Sequence, residues 1–209
     1  RDLRMSRGLG DVYKRQDDKG RIYVDKNGKV YRNNNVGDVK LGSVFPKANM
    51  AWRNDFSYKG FNLSVMVSAR FGGIVYSATQ AALDLYGVSE ASAKARDRGY
   101  VEVNGNDRLN PESWYSTIGG SDGIPQFYTY SATNVRLQEA SLSYTFKKNH
   151  FFGLGDLTLS VTGRNLLMFY CKAPFDPETT ATTGNYYQGI DKFMTPSTRN
   201  IGFNIKLKF

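Results

Sequence analysis

The dominant pattern along the chain is strict two-residue alternation, broken at a few short turns. From Met50, one set of alternate positions reads Met50, Trp52, Asn54, Phe56 and Tyr58, and the other reads Asn49, Ala51, Arg53, Asp55 and Ser57. After Lys59-Gly60 the alternation resumes, with Phe61, Leu63, Val65, Val67, Ala69 and Phe71 on one face and Asn62, Ser64, Met66, Ser68 and Arg70 on the other. A two-residue turn sets position 58 opposite 61, 56 opposite 63 and 52 opposite 67. Directly opposed residues share a face, so both apolar sets fall on one side of the predicted hairpin. Three further strands are predicted over 135–146, 157–168 and 201–209. Their apolar faces carry Ala140, Leu142, Tyr144 and Phe146, then Leu157, Leu159, Val161 and Gly163, then Ile201, Phe203, Ile205, Leu207 and Phe209. A smaller hairpin is predicted where Arg21–Val24 and Lys29–Arg32 flank Asn27-Gly28, a pair suited to a type I′ turn.

The connections are unequal. Lys59-Gly60 and 147–156 are short, whereas 72–134 and 169–199 are long. The first long connection is predicted to contain a helix over 78–86 that stops at Gly87, and a second helical turn capped by Ser89. Its remainder, rich in Gly, Asn, Asp, Ser and aromatics, reads as surface loop.

Alternation by itself fits a soluble sandwich as well as a membrane barrel. Short turns alternating with long loops, aromatics near strand ends on the apolar face, and strands of spanning length favour the barrel. Five strands cannot close one, because single-chain bacterial barrels start at about eight. The expected fold is therefore all-β: an antiparallel transmembrane β-barrel fragment, with long loops on the outer side and a short loop helix.

Composition narrows the chemistry. The 209 residues include one Cys and one His, so no disulfide framework and no HExxH zinc site is available. The net charge of +9 is scattered along strands and loops, which argues against a nucleic-acid binder. Residues 1–16 lack a clean period and end in Asp11-Val12-Tyr13-Lys14-Arg15-Gln16, which resembles translated adapter sequence. They are read as a non-native extension, leaving 17–209 as barrel domain. Asp25-Lys26-Asn27-Gly28-Lys29 lacks the ligands of a calcium loop, and Gly153-Leu154-Gly155 precedes a strand and so is no dinucleotide fingerprint. Asp176-Pro177-Glu178 is read as a turn rather than a catalytic carboxylate pair. His150 is read as a solvated turn residue. No metal, cofactor or catalytic residue is expected.

Several segments carry a more specific resemblance. Pro46-Lys47 with Phe56 to Ser64, Val135 to Phe146, Val161 to Leu166, Phe175-Asp176-Pro177-Glu178, and Pro196-Ser197-Thr198-Arg199 running into the last strand occur in this order. Together they resemble the SusC/RagA-like TonB-dependent outer-membrane transporters over about residues 30–209. The resemblance implies the C-terminal part of a 22-stranded barrel whose plug, TonB box and signal peptide lie upstream. It implies import of oligosaccharides or peptides, a SusD-like surface lipoprotein as lid, energy from the TonB complex, and contact with the lipid bilayer of the outer membrane. The terminal strand, with Ile201, Phe203, Ile205, Leu207 and Phe209, resembles the signal read by the outer-membrane insertion machinery. Arg53, Arg70 and Arg164 are expected to face the lumen. Loop aromatics Trp114, Tyr115, Phe127, Tyr128, Tyr130, Tyr186 and Tyr187 are candidates for substrate or lid contact. The alternative is a secreted β-sandwich that binds glycans through the same aromatics. A porin-like channel or adhesin barrel is a further alternative. The isolated segment, with two open sheet edges, is expected to be insoluble without detergent.

Overall fold

A computed structural model describes residues 41–103, 107–120, 123–147, 155–179 and 188–208. The predicted hairpin over 21–32, His150, Gly153, Leu154, Tyr186, Tyr187 and Phe209 lie outside these residues. In chain order the strands are β1 (Ala48–Tyr58), β2 (Phe61–Phe71), β3 (Ile74–Ser77), β4 (Val101–Val103), β5 (Asp107–Leu109), β6 (Thr129–Ser131), β7 (Asn134–Phe146), β8 (Asp156–Cys171), β9 (Ile190–Asp191) and β10 (Asn200–Lys208). The helices among these residues are α1 (Ala78–Leu85), α2 (Glu90–Arg98) and α3 (Pro111–Gly119), with a 3₁₀ turn at Pro125–Tyr128. The chain divides into two compact units, one built on a large sheet and one on the helices.

The large unit is a five-stranded antiparallel sheet in the order β1-β2-β7-β8-β10. Its first hairpin has the register expected from alternation: Tyr58 opposes Phe61, Phe56 opposes Leu63 and Trp52 opposes Val67. The turn has φ of 45° at Lys59 and 88° at Gly60, the two positive values a type I′ turn requires. Glycine meets this freely. Lys59 holds a left-handed conformation that costs a side-chain-bearing residue about 1–2 kcal/mol. Between β7 and its neighbours the register slips. Glu139 opposes Met66 and Arg164, whereas Leu137 opposes Val67 and Leu167, so Gln138 bulges from β7 and Asn165-Leu166 from β8. Asn165 takes φ of 52°, a conformation asparagine tolerates. Leu166 folds back over Gly163, where a Cβ would lie 2.5 Å from its side chain.

The second unit corrects the reading of 72–134 as mostly irregular loop. It has its own core of Ala81, Val103, Leu109, Trp114, Ile118, Ile124 and Tyr128. The two anticipated helices form: Ser77 and Ser89 cap them, accepting from the amides of Gln80 and Ser92, and α2 ends at Gly99 with φ of 84°. The third helix, α3, went unrecognised although its start is written locally. Asn110 accepts from the amides of Glu112 and Ser113, and Pro111 occupies the first turn, where no amide is needed. Gly119 lets α3 approach α1, since a Cβ there would stand 2.5 Å from the Ala81 carbonyl oxygen. The Ser77 hydroxyl also donates to Asp191 at 2.8 Å, tying the start of α1 to β9, which pairs in parallel with β3. Replacing Asn110 by alanine is expected to cost about 0.5–2 kcal/mol. Faster amide exchange at Glu112 and Ser113, with the five-stranded sheet unchanged, is the check.

Candidate functional site

The two faces of the five-stranded sheet are chemically distinct, rung by rung. One rung runs Phe56, Leu63, Leu142, Val161, Phe203, and the next runs Tyr58, Phe61, Tyr144, Leu159, Ile205. On the opposite side the rungs read Ser57, Asn62, Ser143, Ser160, Asn204 and Asp55, Ser64, Ser141, Thr162, Gly202. Alternation in each strand and matched register between strands together produce this segregation. The apolar face is uncovered: Trp52 is 60% exposed, Phe56 55%, Leu142 51% and Phe203 81%. A sheet face of this extent does not stay in water, so it needs an apolar partner. The aromatics gather toward the turn end, where Phe61, Tyr144 and Phe146 stack in sequence at 4.4 and 4.6 Å between ring centroids. No helix among the described residues is long and apolar enough to cross a membrane, so any crossing would be made by strands.

The polar face carries the three arginines singled out from the sequence. Arg53, Met66, Glu139, Arg164 and Asn200 form one rung, and Arg70 sits farther along, opposite Asn49 and Asn134. Arg164 donates to Glu139 at 3.0 Å, and Arg53 pairs with Asp55 at 3.1 Å. The Arg53 pair is exposed at both ends and the Arg164 pair at its arginine, so each contributes little stability on its own.

The strongest electrostatic feature of this face is one that sequence reading missed. Arg136, 4% exposed, sends Nη2 to Asp176 Oδ1 at 2.7 Å and Nη1 to Asp176 Oδ2 at 3.1 Å, a fork-to-fork pair. Its Nε donates to Asn134 Oδ1 at 3.2 Å, and Glu178 lies 3.3 Å from Nη2. Asn134, fully buried, donates in turn to Glu178 and to the Ala132 carbonyl. The acids belong to the loop after β8. There the Glu178 amide donates to Asp176 Oδ1 and Thr179 donates to the Asp176 carbonyl, so Asp176-Pro177-Glu178 is indeed a turn. Burial alone would raise the Asp176 carboxyl, but the hydrogen bonds from Arg136, Ser197 and the Glu178 amide, with the Arg136 charge, together outweigh it and hold the group below the ordinary aspartate value. The node anchors the loop to the wall. Strict alternation would put Arg136 in the phase of Ala140, Leu142 and Tyr144; the bulge at Gln138 brings it to the polar side opposite Ser68, which was not legible. Nor was its partner Asp176, which lies 40 residues on.

The loop aromatics divide by burial. Trp114 and Tyr128 are 6% and 2% exposed and belong to the core, with Trp114 edge-on to Phe127 at 5.5 Å. They pack the helical unit and present almost no ring surface to a ligand. Tyr115 and Phe127 pack partly buried against the same core. Tyr130 is half-buried, and its hydroxyl donates to Gln80 at 2.5 Å. Of the terminal-strand residues, Ile201, Phe203, Ile205 and Leu207 lie exposed on β10, an edge strand whose partner is β8. No group of three or more metal-ligating side chains occurs among the described residues.

Comparison with known proteins places these observations. No family model matches the chain. It is 26% identical over 203 residues to the TonB-dependent receptor P3 of Formosa agariphila, covering 89% of this chain and 18% of that receptor. Solved structures of the RagAB peptide importer superpose on it. The closed-closed state gives a TM-score of 0.62 at 19% identity, covering 90% of this chain and 20% of the other. The open-open state gives 0.63 at 18% identity, covering 95% and 21%. The chain thus spans about a fifth of the length of these relatives. These likenesses bear out the resemblance to TonB-dependent transporters read from the sequence, and with it an outer-membrane location. The fold is mostly β with antiparallel sheets, as in such transporters. The proteins it resembles are a receptor and an importer, not enzymes.

Proposed function

We propose that this chain forms wall strands and outer loops of a TonB-dependent importer of the SusC/RagA type. The observation that carries this reading is the uncovered apolar face backed by a continuous polar face, in a chain similar to such receptors. On this reading residues 17–209 belong to the barrel domain, and residues 1–16 to a non-native extension. The apolar face meets lipid, while Arg53, Arg70, Arg164 and the anchored Arg136 face a hydrated lumen. The helical unit between β2 and β7 stands among the outer loops, where substrate and a SusD-like lipoprotein would dock. Tyr115, Phe127, Tyr130, Tyr186 and Tyr187 remain the aromatics available for such contact. β10 would serve as the strand recognised during insertion, and the TonB complex would act on a plug outside this segment. The transported solute is an oligopeptide or oligosaccharide. The peptide-importing neighbours favour the former.

A β-sandwich module would bury Phe56, Leu63, Leu142, Val161 and Phe203 under a second sheet, yet all five are exposed. Leu142→Arg, in the middle of this face, separates the two readings. Placed in lipid, the arginine is expected to cost about 2–4 kcal/mol and to reduce folding into vesicles of the full-length protein carrying this segment. Ser141→Arg, on the polar face, is expected to leave folding intact. Equal effects of the two, in a protein that stays in the aqueous phase, would overturn the membrane reading.

A further inference from the structure

We propose that the turn end of the apolar face holds one anionic phospholipid, its phosphate between Lys59 and Lys147 and an acyl chain along a groove across β2, β7, β8 and β10. Two adjoining hollows support this. The first, about 290 Å³, is lined by Lys59, Gly60, Tyr144, Thr145, Phe146 and Lys147. The second, about 370 Å³, runs over the apolar face between Phe61, Leu142, Leu159, Val161, Phe203 and Ile205. Tyr144 lines both, so the two adjoin at that residue. One hollow offers two exposed ammonium groups and the other offers only hydrocarbon and ring surface to a chain. That is the division within a phospholipid, and neither a free anion nor a bare alkane needs both parts.

Among the described residues neither lysine has a carboxylate partner, and Lys59 Nζ stands 5.2 Å from the Tyr58 ring. An ammonium beside interfacial aromatics sits at the depth of a phosphate headgroup. Lys59 also occupies the first central position of a type I′ turn, where asparagine, aspartate or glycine would fold with less strain. At this sterically costly position the lysine delivers a charge that asparagine or glycine would not. The proposal rests on the outer-membrane reading, in which the short turns face the periplasmic side and therefore the phospholipid leaflet.

The test is native mass spectrometry of the full-length receptor carrying this segment, released from detergent after exposure to phosphatidylglycerol, phosphatidylcholine or inorganic phosphate. The comparison is with the double variant Lys59→Asn/Lys147→Gln and with Val161→Trp, which fills the groove. Lys59→Asn suits the turn, so the double variant is expected to fold at least as well as the parent. Its affinity for phosphatidylglycerol is expected to be about thirtyfold lower, the scale of two lysines at an anionic surface, with phosphatidylcholine retention unchanged. Val161→Trp is expected to lower retention of both lipids. Equal phosphatidylglycerol retention by parent and double variant overturns the proposal. So does inorganic phosphate that displaces the lipid at equal concentration, which would make the lysines a simple anion site. Flotation with vesicles keeps the two readings apart. A receptor that floats without headgroup preference defeats only this inference, and one that does not float defeats the membrane reading as well.

Discussion

Arg136→Ala is expected to destabilise the large sheet unit by about 3–5 kcal/mol, because it leaves the carboxylate of Asp176 buried with no counter-charge. The guanidinium makes two hydrogen bonds to that carboxylate and one to Asn134, and Glu178 approaches it as well. Water cannot readily replace these contacts, since both ends of the pair are at least nine-tenths buried. The check is urea unfolding of the folded full-length protein in detergent. Limited proteolysis should show new cleavage within 172–179, the loop the node anchors. Removing both charges in Arg136→Met/Asp176→Leu is expected to recover most of the loss, because a buried ion pair costs much of its attraction in desolvation. A single variant as stable as the parent would mean that the loop is held by something other than this node.

The same pair sets an acid limit. The Asp176 carboxyl titrates below its ordinary value in the folded protein, so its stabilisation is complete above the unfolded-state value. It is lost as pH falls through the depressed folded value. Loop cleavage in the parent should therefore rise only in strong acid, and the double variant should not share that rise.

Trp114→Ala is expected to cost the helical unit about 3–5 kcal/mol, the range for deleting a large buried aromatic. Trp114 joins Ala81 of α1, Ile118 of α3 and Phe127 of the 3₁₀ turn in one cluster. Amide exchange should quicken across α1 and α3 while β7 and β8 keep their protection, because those strands belong to a separate contact unit. Tyr115→Ala, at the partly buried edge of the same cluster, should cost clearly less. If transport of substrate fell with Tyr115→Ala and stability did not, the aromatic would be acting on ligand rather than on packing.

Sequence alone determined the strands of the large sheet and the register of its first hairpin. Alternation has a period of two, turns are local, and a register that aligns two apolar faces has no competitor within one residue. Tyr58 against Phe61 and Trp52 against Val67 followed directly. The caps at Ser77 and Ser89 were equally local, and the Asn110-Pro111-Glu112 start of α3 was written in the same terms though it went unread. The tertiary structure decided what depends on distant partners. Arg136 met Asp176 across 40 residues, through two bulges that no period reveals. Trp114 and Tyr128 proved to be core rather than ligand surface, because burial depends on how many elements converge on a ring and not on the loop that bears it. Lys59 and Lys147 came together only because β7 pairs alongside β2. Local geometry is set by near neighbours and can be read from them, whereas charge pairing and burial are properties of the assembled surfaces.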